Sequence, residues 1–580
     1  MLRQDQHLER EWIFAPIHPD RDGLAHEAGI SPLLAQLCLT RDLASPDDVR
    51  RFLTPEWKDL IPPEQLPGAV KAGHRLVDAV RNGRKIVIYG DYDVDGVTAT
   101  AILWHALSLA GANVEYYIPS RMDEGYGVNA EAIEQLHAGG AELVITVDCG
   151  ITAIEEARLA ERLNMELIIT DHHEPGHALP DVPIIAHPYA CGDTGNPHLS
   201  GAGVAFKTAW VFAQQWCGAN RVSAVYREFL VEALAFAALG LVADVVPLVG
   251  ENRVIASFGL RQLCHTNNEG MKALINVAGL GSKRRYDEYD VGFMLAPRLN
   301  AVGRLGHAND AVELFTRADR ERAREIAAEL DALNRQRQEI EKQIVKQAEA
   351  MVVERGFHRE SRRAIVLADP SWHPGVIGIV AARLVDKFHR PTVLISLDGE
   401  TGQGSGRSIK HFPLNEVLAE CETHLVGHGG HAMAAGVKVT ASQIDAFTDA
   451  FLAQAEQRLT PMDLKPKLQI DDEVELSVLT TDVVESVLRL APFGIGNPKP
   501  RLATAEVEIS DGPRVVGSNG QHLQFTVRQG DEYRKAVAFG RGDRMDELMD
   551  HRRLRLAFEP MINEWNGRRS VELRVIDWKW

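Results

Sequence analysis

Apolar positions in the first third of the chain come in short unbroken runs that each lead into an aspartate. Ile86-Val87-Ile88-Tyr89 leads to Asp91, "ELVITVDCG" (142–150) to Asp148, and "MELIITDHH" (165–173) to Asp171. β-Branched runs of this length predict strands buried on both faces. Between and around them, "VTATAILWHALSLAG", "VNAEAIEQLHAGG" and "TAIEEARLAERLN" read as helices. Strands and helices alternating in this way predict βαβ units and a parallel sheet.

The pattern changes twice further on. From Asp319 to Arg355 there is no Gly or Pro, and Ile326, Leu330, Leu333, Ile340, Ile344 and Met351 recur at three-, four- and sevenfold spacings. That predicts one amphipathic helix of about 55 Å at 1.5 Å per residue. It reads as a coiled-coil seam or as a connection between two lobes, and the interruptions at Arg337 and Gln347 favour the connection. Residues 356–455 return to an α/β pattern with "RRAIVLAD", "GVIGIVAARLVDKF" and "RPTVLISLDG". From about 465 the period falls to two in "KLQIDDEVEL", "ATAEVEIS", "LQFTVRQ", "RKAVAFG", "RLRLAFEP" and "SVELRVIDW". Asn519-Gly520 and Asn566-Gly567 mark hairpin turns between such strands. Five or six of them fit a small barrel of the OB type, suited to single-stranded nucleic acid. Phe525, Phe539, Phe558 and Trp565 are then base-stacking platforms or barrel core. Residues 31–65 read as a small helical segment closed by prolines. The expected division is 1–65, 66–318, 319–355, 356–455 and 465–580, with a barrel removable near Pro461 while the first lobe keeps its acidic residues.

The acidic residues raise the chemical question. Asp91, Asp93 and Asp95 alternate and precede Gly96, as in the first half of an EF-hand loop. Position twelve of such a loop falls on Ile102, and a strand stands where a helix is needed, so that reading fails. In parallel sheets the carboxyl ends of the strands line one ligand-binding edge. Asp91, Asp93, Asp95, Asp148, Asp171, His172 and His173 are thereby delivered to one rim, and Asp244 in "LGLVADVVPL" is a further candidate. Carboxylates with a few imidazoles suit Mn²⁺ or Mg²⁺ better than a thiolate-type zinc site.

Composition narrows the setting. The six cysteines, at 38, 149, 191, 217, 264 and 421, form no C-x-x-C pair and read as reduced thiols, with Cys149 as packing beside Asp148. "MLRQDQHLEREW" has no apolar leader region, and "ALAFAALGLVA" (233–243) is far shorter than the roughly 20 residues that span a membrane. A cytoplasmic protein is expected. The net charge of −18 argues against nucleic acid taken alone, but a channel for one strand needs only local cations. Arg121, Arg298, Arg304 and Arg407 are candidates, the pair Arg298 and Arg304 flanking a loop-like stretch. In the second lobe, Ser405 of "GSGRS" and the glycines of "GHGGHAMAAG" (427–436) offer backbone amides to phosphate oxygens.

"DYDVDG", "VDCG", "DHH" and "ADVVPL", in that order, resemble the four motifs of the DHH phosphoesterase superfamily, and "GHGGHAMAAG" resembles that of the DHHA1 domain. "EGYGVN" (124–129), "PRLNAVGRLGHA" (297–308), "WHPGVIGIVAARL" (372–384), "GSGRS" (404–408) and "PFGIGNPKP" (492–500) are similar to the RecJ family of single-strand-specific DNA exonucleases. One departure is His187-Pro188, where the family usually has Asn-Pro. The resemblance implies a DHH catalytic lobe with a parallel sheet, a connecting helix, a DHHA1 lobe and an OB barrel. It further implies two divalent ions, Mn²⁺ or Mg²⁺, bridged by Asp148, with Asp91 and Asp93 on one and Asp95, His172 and Asp244 on the other. His173 would meet the scissile phosphate or aid proton transfer, and Asp171 would orient the imidazoles. Arg121, Arg298, Arg304, Ser405, Arg407, Gly429, Gly430 and His431 would bind the strand. The implied activity is 5′-to-3′ degradation of single-stranded DNA to 5′-mononucleotides in repair and recombination. The implied protein is a monomer whose partners are a single-strand-binding protein and a helicase. A small-substrate phosphodiesterase and a metal-free DNA-binding scaffold are the competing readings; the first needs no barrel, and the second is opposed by six intact ligand positions.

Overall fold

The computed structural model describes residues 8–580 except 122, 123, 191, 193, 194 and 307. It divides into two compact units. One comprises Phe14–Asp331 with Ile470–Trp580; the other comprises Ala332–Gln469 with the N-terminal residues up to Ile13.

The larger unit is built on five parallel strands, β1 (Ile86–Gly90), β2 (Val114–Tyr117), β3 (Leu143–Val147), β4 (Glu166–Thr170) and β5 (Ile184–Ala186), in the order β2-β1-β3-β4-β5. Every residue of β1 and β3 is buried, as their unbroken apolar runs require. The chain leaves β1 toward β2 and then returns to the other side of β1 as β3. This reversal opens a crevice at the carboxyl ends of β1 and β3. Helix α1 (Val94–Leu109) follows β1 and packs against α2 (Gly201–Cys217) and α3 (Ala224–Ala243). The apolar run 233–241 is buried within α3. Among the described residues, no helix is long and apolar enough to cross a membrane. Cys191 lies outside the described residues, and the other five cysteines form no disulfide.

Helix α4 (Arg320–Glu354) is continuous, and the division between the units falls inside it, between Asp331 and Ala332. Both interruptions of its apolar stripe have partners. Arg337 donates to Glu341 Oε2 and Asn334 Oδ1, and Gln347 Oε1 accepts from Trp372 Nε1 at 3.1 Å. In the smaller unit, β6 (Ile365–Asp369), β7 (Thr392–Asp398), β8 (Thr401–Arg407), β9 (Gly427–Gly430) and β10 (Ala434–Thr440) form a sheet in the order β9-β10-β8-β7-β6. Only β6 and β7 run parallel, so the repeated α/β pattern gives a mixed sheet here. The short turn at Asp398–Thr401 explains this, because it can return only an antiparallel strand.

The C-terminal strands β11 (Val507–Val516), β12 (His522–Gln529), β13 (Glu532–Ala538), β14 (Arg553–Trp565) and β15 (Arg568–Lys579) close a ring in the order β11-β12-β13-β15-β14. β13 and β15 pair in parallel and the others antiparallel, an OB-type barrel. Its core is not its own. Leu34, Leu37, Cys38, Val49 and Leu53 of the N-terminal helices join Leu523, Phe525, Phe558 and Leu573 in one cluster. The barrel is therefore not the removable module the sequence suggests. Burying each leucine contributes about 1.5–3 kcal/mol, so truncation at Pro461 would strip the N-terminal helices of their core.

Candidate metal centre

The crevice between β1 and β3 receives each acidic residue from a strand end or a helix end. Asp91 directly follows β1, and Asp93 caps α1 by accepting from the amides of Asp95 at 2.9 Å and Gly96 at 3.2 Å. Asp148 follows β3 in the left-handed region, φ 62°. Gly201 lies so close that a Cβ there would sit 2.4 Å from Asp148 Oδ1, a position that admits only glycine. Asp95 lies in the first turn of α1 and meets the N-terminus of α2, accepting from Gly201 N at 2.6 Å and Ala202 N at 3.0 Å. Asp244 caps the C-terminus of α3.

Asp171 organises the loop after β4. Its Oδ2 accepts from Ile151 N at 2.9 Å, and its Oδ1 accepts from the amides of His172 and His173 and lies 2.8 Å from His173 Nδ1. His187 fixes the same loop from β5. Its Nδ1 accepts from the amides of Tyr189 and Ala190, so Nε2 carries the proton and donates to the His173 carbonyl at 2.9 Å. The unusual His187-Pro188 pair thus holds the histidine loop.

Three sets of potential ligand atoms result, each within 4.8 Å: Asp91, Asp93 and Asp148; Asp95, His172 and Asp244; Asp148, His172 and His173. His172 Nε2 lies 3.1 Å from Asp148 Oδ1, 3.6 Å from Asp244 Oδ2 and 3.8 Å from Asp95 Oδ2. Burial and the neighbouring carboxylates push Asp91 and Asp148 well above the usual carboxylate range, Asp95 to about 6 and Asp244 to about 8. Burial and the adjacent His173 hold His172 down to about 3. For His173 burial opposes the charge, but the hydrogen bond and charge of Asp171 prevail and raise it to about 9.

Asp91 Oδ1, Asp148 Oδ1 and His172 Nε2 are buried and have no hydrogen-bond partner among the described residues. His172 Nε2 faces the carboxylates of Asp148, Asp244 and Asp95. Orphaned acceptors crowded with mutually repelling carboxylates fit divalent cations bound through oxygen and imidazole nitrogen. Cys149 is no part of this: it is buried, its thiol is pushed up by burial, and Sγ faces the Tyr89 carbonyl at 3.8 Å.

The cations divide by position. Arg121 stands over the Tyr92 ring at 5.1 Å, and both Arg121 and Arg304 act electrostatically on Tyr92, between Asp91 and Asp93. The stretch holding Arg298 and Arg304 is a helix, Ala296–Leu305, rather than a loop. Its Asn300 Oδ1 accepts from Val94 N at 3.2 Å, docking the helix on the acidic turn. Arg298 pairs with Asp331 at 2.9 Å and donates to the Met294 carbonyl, contacts that brace the helix on which it sits. Ser405, Arg407, Gly429, Gly430 and His431 belong to the other unit. There Gly429 pairs with Gly436, which pairs with Ser405, and Arg407 Nη1 donates to Ser405 Oγ at 3.1 Å. Gly430, φ 134°, faces the Ala434 carbonyl so closely that no Cβ fits.

Sequence reasoning missed three features. The Tyr126 hydroxyl lies 3.1 Å from His173 Nδ1, and "EGYG" alone does not show that it reaches the histidine loop. Tyr289 and Phe293 stack at 4.8 Å, both exposed, one capping and one within the π-helical turn Asp290–Leu295 that leads into Ala296–Leu305. Their four-residue spacing was the available signal. The third is the contact from His187 to the His173 carbonyl, which the His187-Pro188 departure marked without showing its partner.

Residues 85–239 match the DHH family N-terminal domain, 361–457 the DHHA1 domain and 470–577 the RecJ OB domain. The single-stranded-DNA-specific exonuclease RecJ of Bacillus subtilis (strain 168) is 39% identical over 565 residues, covering 96% of this chain and 70% of the relative. That of Escherichia coli (strain K12) is 34% identical over 95% of this chain and 96% of its own. Crystal structures of RecJ from Thermus thermophilus in complex with Mn²⁺ and with Mg²⁺ align over 98% of this chain and 79% and 78% of theirs. Their TM-scores are 0.83 and 0.76, at 30% and 28% identity.

Proposed function

Because the chain belongs to the RecJ family of single-stranded-DNA-specific exonucleases, we propose that the crevice between β1 and β3 hydrolyses the terminal phosphodiester of single-stranded DNA. The observation that carries this reading is the set of orphaned buried acceptors, Asp91 Oδ1, Asp148 Oδ1 and His172 Nε2, at the sheet's switch point. Asp91, Asp93 and Asp148 would hold one divalent ion; Asp95, His172 and Asp244, with Asp148 shared, would hold the other, each Mn²⁺ or Mg²⁺. Asp95 differs from these because both its oxygens already accept amide protons, so it also anchors α2 to the site. Two such cations supply Lewis acidity toward a phosphoryl oxygen and make water acidic enough to attack near neutral pH.

The chain's own groups do the rest. His173, kept protonated by Asp171 near neutral pH, is poised to donate to a phosphate oxygen or to the departing 3′ oxygen. Tyr126 steadies that ring and offers an aromatic edge at the mouth of the site. Arg121 and Arg304 attract the phosphate backbone beside Tyr92, and within the smaller unit Ser405, Arg407, Gly429, Gly430 and His431 are the proposed strand-binding residues. The activity is degradation 5′ to 3′ into 5′-mononucleotides, in the repair and recombination setting of the cytoplasm. A single-strand-binding protein and a helicase are the proposed protein partners of a monomeric enzyme. The test compares 5′- and 3′-labelled single strands, duplex and RNA with Mn²⁺ or Mg²⁺. Release of labelled mononucleotide first from the 5′ label on single-stranded DNA is expected, and release first from the 3′ label refutes the polarity.

The barrel narrows the stacking candidates to two. Phe525 and Phe558 are 2% and 0% exposed and form its core, whereas Phe539 and Trp565 are 48% and 73% exposed. Arg574 stands 5.6 Å over the Phe539 ring. Base stacking contributes about 1–3 kcal/mol per base. Phe539→Ala with Trp565→Ala should therefore weaken binding of a long strand at least about tenfold while dinucleotide cleavage changes little. Fluorescence anisotropy with a labelled strand reads this, and equal losses on both substrates would remove the barrel from the strand's path.

A further inference from the structure

"PFGIGNP" (492–498) has no part in the chemistry above, yet it packs against the segment that carries Asp244. The Ile495 carbonyl accepts from Leu248 N at 2.8 Å. A Cβ on Gly494 would stand 2.8 Å from Leu248 Cδ1, and one on Gly496, φ 75°, would stand 3.0 Å from Val249 Cγ1. The loop is itself held from behind. Asn497 is wholly buried, donates to the Leu490 and Pro492 carbonyls at 2.8 Å each and accepts from Arg41 Nε at 2.9 Å. Arg253, on the helix Gly250–Leu263 that follows the same segment, donates to the carbonyls of Phe52, Arg489, Leu490, Ala491 and Pro492.

Within the braced segment, Val245 directly follows Asp244 and has φ 62°. A β-branched residue in the left-handed region is strained, and such strain persists only where the surroundings over-determine it. Relaxing that turn would swing the preceding carboxylate, now 3.6 Å from His172 Nε2. We propose that the Pro492–Pro498 loop is a positioning element for Asp244. By holding Leu248 and Val249 it keeps the Val245 turn closed and the carboxylate aimed at His172. The anchors in Asn497, Arg41 and Arg253 make the loop rigid enough to do so. This rests on Asp244 being an ion ligand, and the experiment separates the two claims.

Calorimetric titration of the full-length protein with Mn²⁺ should resolve two binding steps, one of which Asp244→Asn removes. Gly496→Ala should weaken that same step at least about tenfold, as changes behind a ligand typically do, and leave the other step alone. Adding Val245→Gly should restore most of the loss, because glycine takes the left-handed conformation without strain. A merely structural loop predicts no such rescue. The proposal is overturned if Gly496→Ala leaves both steps unchanged, weakens both alike, or is not rescued. Should Gly496→Ala fail to fold, Gly494→Ala reads the same step, since the atoms nearest its added methyl all belong to the Leu248 side chain, Cδ1 and Cγ foremost, and none to backbone. If Asp244→Asn leaves both steps intact, the ligand role of Asp244 fails instead, whatever the loop variants do.

Discussion

Asp148→Asn lowers turnover at least about a thousandfold, beyond the 10²–10³ lost with a single oxyanion donor, and the metal-free variant melts above the metal-free native protein. Both effects follow from one position. Asp148 belongs to two of the three ligand sets, so neutralising it weakens the hold on both ions at once. Asparagine is the right replacement because Asp148 has φ 62°, a conformation that Asn tolerates and Ala does not. The stability gain has the opposite origin. Without cations, Asp148 is a buried carboxylate repelled by Asp95, Asp93, Asp91 and Asp244. An amide removes that repulsion and can donate to the orphaned His172 Nε2, 3.1 Å from Asp148 Oδ1. Near-normal turnover at saturating Mn²⁺ would sink the shared-ligand arrangement. A lower melting point would instead mean that the carboxylate supports the fold.

That trade between function and stability also explains what the sequence made legible. The aspartates could be read because a parallel sheet exposes only the carboxyl ends of its strands at the ligand edge, and the runs ending at Asp91, Asp148 and Asp171 are unbroken. Phe525 could have been assigned too: Leu523, Phe525 and Val527 alternate along β12 and all face the core. Phe539 lies just beyond β13, outside any alternation, and its exposure had no local signal.

Other features depend on pairings that sequence spacing does not encode. The sharing of one core by residues 24–53 and 474–578 joins segments more than four hundred positions apart. The commitments of Arg298 to Asp331, 33 positions on, and of Arg253 to five carbonyls 201 to 239 positions away are further pairings of this kind. An arginine in a motif looks the same whether it waits for a phosphate or braces two helices. Asp95 is similar: its place in "DYDVDG" suggests a ligand, and only the fold brings the Gly201 and Ala202 amides to it.

In the absence of divalent ions, the protein should lose thermal stability as pH rises from about 6.5 to 8.5, and saturating Mg²⁺ should remove the part of that loss that comes from the carboxylates. The sign follows from the raised groups. Asp95 and Asp244 sit at about 6 and about 8 in the fold, against about 3.9 in the unfolded chain. The stabilisation they give by staying protonated is complete below about pH 4 and is lost as pH climbs through those folded values. His173, raised to about 9 from about 6.5, adds a loss of the same sign throughout the window. His172 is shifted the other way, to about 3, and its effect is confined below about pH 6.5. Cations bind the ionised carboxylates only, so Mg²⁺ binding displaces protons and tightens with pH until Asp244 is fully ionised. Differential scanning calorimetry across this window, with chelator and then with Mg²⁺, measures the metal-induced rise in Tm at each pH. The rise should widen from pH 6.5 to 8.5, and in Asp244→Asn it should widen less. A rise of constant size across the window would mean that these carboxylates are already ionised without metal, and the crowding argument for the ion pair would fall with it.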